Sequence, residues 1–123
     1  MMKKTIIAMF ALSVLAGCKA DSPTAAEIEQ GYLNGIEADK TAALAQYGSI
    51  EDMPAGLQLS LKMRARNVEL TSCEEHPTNV GYLCIYNFDL LRDDGFVVQA
   101  GIKDIRGHVF KGDVGWLVEE IAR

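Results

Sequence analysis

The spacing of apolar residues changes character twice along this chain. Residues 5–16 are an almost unbroken apolar run. Between Thr24 and about residue 63 apolar positions recur every three or four residues, and beyond Arg64 they alternate. The first periodic stretch opens with Thr24 and, three residues on, Glu27, the pattern of a capping box, with Pro23 blocking an earlier helical start. Ile28, Tyr32 and Ile36, with Leu33 beside them, make one apolar stripe opposed by Glu27, Gln30, Asn34 and Glu37. Gly31 and Gly35 weaken continuity but would let such a helix lie close against a sheet. Asp39 offers a second start, running through Ala42, Ala43, Leu44 and Tyr47 to a stop at Gly48, so this region predicts one bent helix or two short ones. Ser49, Asp52 and Pro54 open a further short helix reaching about residue 63.

The alternating part predicts strands. Val68 and Leu70 interleave with Asn67, Glu69 and Thr71, and residues 74–79 form a loop containing Pro77 and Asn79. Val80, Tyr82, Cys84, Tyr86, Phe88 and Leu90 then share one face. Arg92, Asp93, Asp94, Gly95 and Phe96 read as a three-residue hairpin loop with Gly95 left-handed. That loop sets Leu90 opposite Val98, Phe88 opposite Ala100 and Tyr86 opposite Ile102, apolar against apolar. A last hairpin turns at Lys111, Gly112 and Asp113, and Trp116 and Val118 continue a buried face. The expected architecture is α+β: N-terminal helices packed on an antiparallel meander of about four strands. Cys73 falls on the polar parity of its strand and Cys84 on the apolar parity of its own. Either a bulge intervenes or Cys73 lies past the strand end.

The first run carries the most specific signal. Lys3 and Lys4 precede it, Lys19 ends it too early for a membrane span of roughly 20 residues, and it closes on Leu15, Ala16, Gly17 and Cys18. These four positions resemble the lipobox of bacterial lipoproteins. The resemblance implies cleavage after Gly17, a thioether-linked diacylglycerol on Cys18, and a further fatty acid such as palmitate on the new amino terminus. One acyl chain holds a protein only marginally, whereas two or more anchor it stably. Lys19, where an inner-membrane retention signal would have Asp, implies the inner leaflet of an outer membrane; in a Gram-positive cell the same signal implies the outer face of the only membrane. The expected organisation is a signal peptide at 1–17, a lipidated tether at 18–23 and one periplasmic domain at 24–123.

Charge and cysteines sharpen this. Losing Lys3 and Lys4 with the leader takes the 12 basic groups to 10 against 17 acidic ones, a charge of −7. That balance argues against binding nucleic acid or an anionic lipid surface through bulk charge. Cys73 and Cys84 remain in the mature chain, and an even pair in an oxidising compartment reads as a disulfide, with a metal pair or a free thiol as alternatives. Such a loop would remove roughly 2–3 kcal/mol of unfolded-chain entropy.

The order of helix, strands and cysteine pair, then residues 109–113 ahead of Gly115, Trp116, Leu117 and Val118, is similar to small envelope lipoproteins with NTF2-like or cystatin-like domains. That similarity implies a sheet wrapped around a helix and carries no functional residues with it.

Candidate chemistry is sparse. His76 and His108 are the only imidazoles, each expected as a separate solvated side chain. No Gly-x-Ser-x-Gly sequence occurs. Glu74, Glu75 and His76 are consecutive and so point to opposite sides, which argues against a shared metal. Gly107, Gly112 and Gly115 precede no helix and cradle no phosphate. Glu119 and Glu120 read as solvent-facing, edge-protecting residues. The sequence therefore predicts no catalytic residue, no metal and no cofactor. It points to a non-enzymatic module that binds another envelope protein, as inhibitor, immunity protein or assembly accessory, through the hairpin tips, the 74–79 loop and Asp93 with Asp94, or by strand-edge pairing. The runner-up is a small-ligand carrier whose concave face is lined by Tyr82, Tyr86 and Trp116. A hydrolase would need an acid and a histidine converging inside that same face.

Overall fold

A computed structural model describes residues 21–121. The lipobox, Cys18 and the 1–17 leader lie outside the described residues. Helix α1 spans Ala25–Tyr47, the short helix α2 spans Ala55–Ser60, and four strands follow: β1 (Met63–Glu75), β2 (Tyr82–Arg92), β3 (Val97–Gly112) and β4 (Gly115–Glu120). The strands form one antiparallel sheet in the order β1-β2-β3-β4. α1 packs against both outer strands, β1 and β4, so the sheet curls round the helix.

The capping box forms as the sequence predicts. The Glu27 amide donates to the Thr24 hydroxyl, and the Thr24 amide donates back to the Glu27 carboxylate at 2.9 Å. Of the two expected forms, the pair of short helices is corrected: α1 is one helix that runs unbroken through Gly31, Gly35 and Asp39. Tertiary contact with the sheet outweighs the weak propensity of two glycines. α2 ends at Ser60, short of residue 63, and has no buried residue, so one helix rather than several packs on the sheet.

Ile28, Tyr86, Val109, Cys84, Phe88, Ala65 and Val68 form the buried core between α1 and the concave face. Cys73 and Cys84 face each other across β1 and β2 and are joined by a disulfide. The parity conflict is resolved within β1. The register slips once between Arg66 and Glu69 and again between Leu70 and Ser72, and the second slip turns Cys73 inward to meet Cys84. β1 continues to Glu75, so Cys73 is not past its end.

The hairpin after β2 turns as expected, with Gly95 at φ 94° and Leu91 opposite Val97. Beyond that pair the expected register is overturned. Leu90 lies opposite Gln99, Phe88 opposite Ile102 and Tyr86 opposite Ile105, because β3 gains an extra residue at each of three slips. The bulges are held by side chains of β2. Asp89 accepts from Asn67 Nδ2 at 2.8 Å on one side and from the Gly101 amide at 2.7 Å on the other. Asn87 accepts from the Asp104 amide at 2.9 Å. Asn67, Gly101 and Asp104 all have φ near +60°, a conformation that Asn, Asp and Gly tolerate best. Glu29 of α1 takes up the Val68 amide freed by the β1 bulge, at 3.2 Å. These bulges bend the strands around α1.

Candidate functional site

The concave aromatic face divides into two parts. Tyr86 and Phe88 belong to the core, with Tyr86 completely buried. The Tyr32 hydroxyl donates to Glu120 Oε2 at 2.7 Å, leaving its oxygen to accept from Tyr86, also at 2.7 Å. Burial pushes the Tyr86 phenol up to about 12, and burial together with the Tyr86 hydrogen bond raises that of Tyr32 as well. Both are therefore neutral, structural hydroxyls at ordinary pH. This corrects the expected ligand-lining role of Tyr86, which is spent on the core.

Tyr82 and Trp116 remain half-buried and open onto a cleft of about 410 Å³, whose walls include Asp21, Glu27, Val80 and Lys111. Register explains this grouping. Tyr82 pairs with Val109 and Lys111 with Trp116, so the start of β2 and the β3–β4 turn share one end of the sheet. The Lys111 ammonium lies 5.3 Å from the centre of the Trp116 ring. The Thr24 backbone hydrogen bond holds the Glu27 carboxyl below the usual range.

The two hairpin tips lie at opposite ends of the sheet, separated by the 11 residues of β2, about 36 Å of strand. They cannot form one contact surface. At the far tip Asp94 accepts from the Arg92 guanidinium at 2.9 Å and from the Phe96 amide at 3.0 Å. The Arg92 hydrogen bond is the main reason its carboxyl sits below the usual range. The Asp93 amide donates to the Lys62 carbonyl at 2.7 Å, tying the turn to the chain entering β1. Asp93 and Asp94 are both exposed.

At the near tip the structure brings together what the sequence reading kept apart. The rings of His76 and His108 are 4.7 Å apart, and Phe110 lies 4.8 Å beyond His108. His76 Nδ1 accepts from the Thr78 and Asn79 amides at 3.1 and 3.0 Å, while His108 Nε2 donates to the Val80 carbonyl at 2.7 Å. Glu119 Oε1 is 3.6 Å from His108 Nδ1. Both imidazoles thus organise the 76–81 loop rather than standing alone in solvent. Neither lines the Tyr82–Trp116 cleft.

One feature of the far end was missed by sequence reasoning. Phe96, Val97 and Val98 are 58%, 51% and 43% exposed. Three consecutive apolar residues beside a turn cannot all face inward along a strand, and that was the available signal. β4 pairs only with Gly107–Gly112, so among the described residues no strand flanks the outer edge of β3 from Val97 to Ile105. Arg92 sits 4.5 Å over the Phe96 ring, fixing it at the tip. No family model matches the chain, and no curated protein or solved structure is measurably similar to it.

Proposed function

We propose that the protein is a lipid-anchored envelope protein whose domain binds an extended segment of another envelope protein, as an inhibitor, immunity protein or assembly accessory. The lipobox supports the anchor. The observation that carries the binding reading is the open outer edge of β3 next to exposed Phe96, Val97 and Val98. An unpaired edge offers a row of amides and carbonyls, and apolar neighbours give a docking strand something to bury. Left-handed Gly101 and Asp104 interrupt the edge, which restricts pairing to about residues 97–100 and disfavours open-ended self-association. Asp93 and Asp94 at the tip favour a partner segment with a basic residue. Anchoring on one membrane raises the effective concentration of any partner confined there.

The test places a photo-crosslinking residue at Val98 in living cells, with a second at exposed Glu51 as control. One adduct from position 98, absent from position 51 and lost when Val97 becomes Pro, is the expected result. No adduct from a folded, anchored protein would refute the edge-pairing reading. The small-ligand reading would then rest on the Tyr82–Trp116 cleft alone.

A further inference from the structure

We propose that the end of the sheet carrying the cleft is itself a membrane-docking surface, with Trp116, Tyr82, Val80 and Val114 seated at the lipid interface and a zwitterionic headgroup in the cleft. This inference rests on the lipid-anchor reading of Cys18. Chain length supplies the first argument. Only residues 19 and 20 lie between Cys18 and Asp21, so Cys18 is within about 11 Å of a residue that lines the cleft. Pro23, fully buried, pins the entering chain to the domain. A tether this short keeps the cleft end of the domain next to the bilayer.

Composition supplies the second argument. Val80 and Val114 are 75% and 63% exposed, the two most exposed large apolar side chains among the described residues. Both lie at the cleft end, Val80 just ahead of β2 and Val114 in the β3–β4 turn. Half-buried Trp116 and Tyr82 line the cleft with Val80. Aromatic rings with a polar handle and exposed aliphatic groups, next to a lysine that snorkels, are what a lipid–water interface accommodates. No described helix is long and apolar enough to cross a membrane, so the contact is interfacial.

Charge supplies the third. The cleft sets Lys111 against Asp21 and Glu27. One cation facing acidic groups suits a phosphate joined to an ammonium, as in phosphatidylethanolamine. The acidic balance of the mature chain disfavours a purely anionic surface. Docking this end directs the opposite end, with Phe96, Val97 and Val98, away from the bilayer toward a partner.

Trp116 is the only tryptophan, so its fluorescence reports this surface directly. The lipidated full-length protein is reconstituted in phosphatidylethanolamine–phosphatidylcholine vesicles, with the unlipidated Cys18→Ser protein in solution as reference. The expected result is a blue-shifted emission, an acrylamide quenching constant lowered roughly threefold, and quenching by roughly half with lipids brominated near the headgroup end of their chains. A Val80→Glu/Val114→Glu variant, altered only at exposed positions, should keep its thermal midpoint, still float with vesicles and lose the bromolipid quenching. Wild-type protein that floats while Trp116 stays as accessible as in solution would overturn the inference and leave the anchor intact. Protection from acrylamide without bromolipid quenching would mean that the protein's own acyl chain fills the cleft, and would also overturn it. Failure to float, with an unmodified Cys18 by mass spectrometry, would refute the anchor reading and this inference with it.

Discussion

Gly107 is where the packing of this domain is most sensitive to a single methyl group. A Cβ built there would collide with the Tyr86 hydroxyl and stand 3.1 and 3.2 Å from Cε1 and Cζ of the same ring. Tyr86 has nowhere to retreat. It is fully buried, its hydroxyl is engaged with Tyr32, and its ring packs against Tyr32 and Phe88 at centroid separations of 6.1 and 6.2 Å. Overpacking of this kind costs about 1–3 kcal/mol. Displacing the hydroxyl forfeits a hydrogen bond contributing about 1 kcal/mol. Replacing a strand glycine returns about 0.5 kcal/mol. Gly107→Ala is therefore expected to destabilise the domain by about 2–3 kcal/mol. Tyr86→Phe alone should cost about 1 kcal/mol, because Tyr32 keeps its bond to Glu120. The double variant should cost at least about 1 kcal/mol less than the sum of the two singles, since the colliding hydroxyl is gone. Urea unfolding followed by far-ultraviolet circular dichroism measures all three, with the slope against urea checked for constancy. A Gly107→Ala domain within about 0.5 kcal/mol of wild type, or strictly additive variants, would refute the collision as the reason for glycine at this position.

The two helix glycines should respond in opposite directions. A Cβ at Gly31 would lie 2.8 Å from Val118 Cγ2 and 3.3 Å from the Leu117 carbonyl carbon, whereas at Gly35 it meets nothing within 4 Å. Gly35→Ala is expected to stabilise by about 0.5–1 kcal/mol through helix propensity, and Gly31→Ala to destabilise by about 1–2 kcal/mol; equal thermal shifts would contradict the packing. Stability should also fall in acid. The Gly101 amide and Asn67 hold Asp89 below the usual carboxylate range, and Arg92 with the Phe96 amide does the same for Asp94. A depressed folded-state value gives stability that is fully present above the unfolded value of about 4 and is lost as pH drops through the folded one. Urea midpoints should therefore hold from neutral pH down to about 5 and decline below about 4, less steeply in Asp89→Asn; an unchanged slope in that variant would count against the bulge network as its source.

Local chemistry along this chain was legible because it acts over three or four residues. Thr24 and Glu27 cap each other within one turn, Gly95 turns a hairpin through its own backbone freedom, and strand alternation needs no distant partner. The cysteine pair was legible from its count, and the parity conflict at Cys73 called for either a bulge or a strand end before it, of which the structure shows the bulge. Continuity of α1 was not legible, since an isolated reading of Gly31, Gly35 and Asp39 omits the sheet that stabilises the helix and the close approach that Gly31 permits.

The slips in β3 were decided by tertiary structure alone. Gln99, Ala100 and Gly101 carry no pattern that reveals Asp89 and Asn87 waiting on the next strand to accept the amides that a bulge frees. Those slips moved Tyr86 opposite Ile105 rather than Ile102. They also set His108 opposite Leu83, in the same ring cluster as His76, while the first half of β3 lies beyond the reach of the six residues of β4. Side-chain period and capping belong to the sequence because each is set by covalent geometry and neighbouring residues. Register, the pairing of the histidines and the separation of the two tips belong to the folded chain, because each depends on which distant backbone groups find partners.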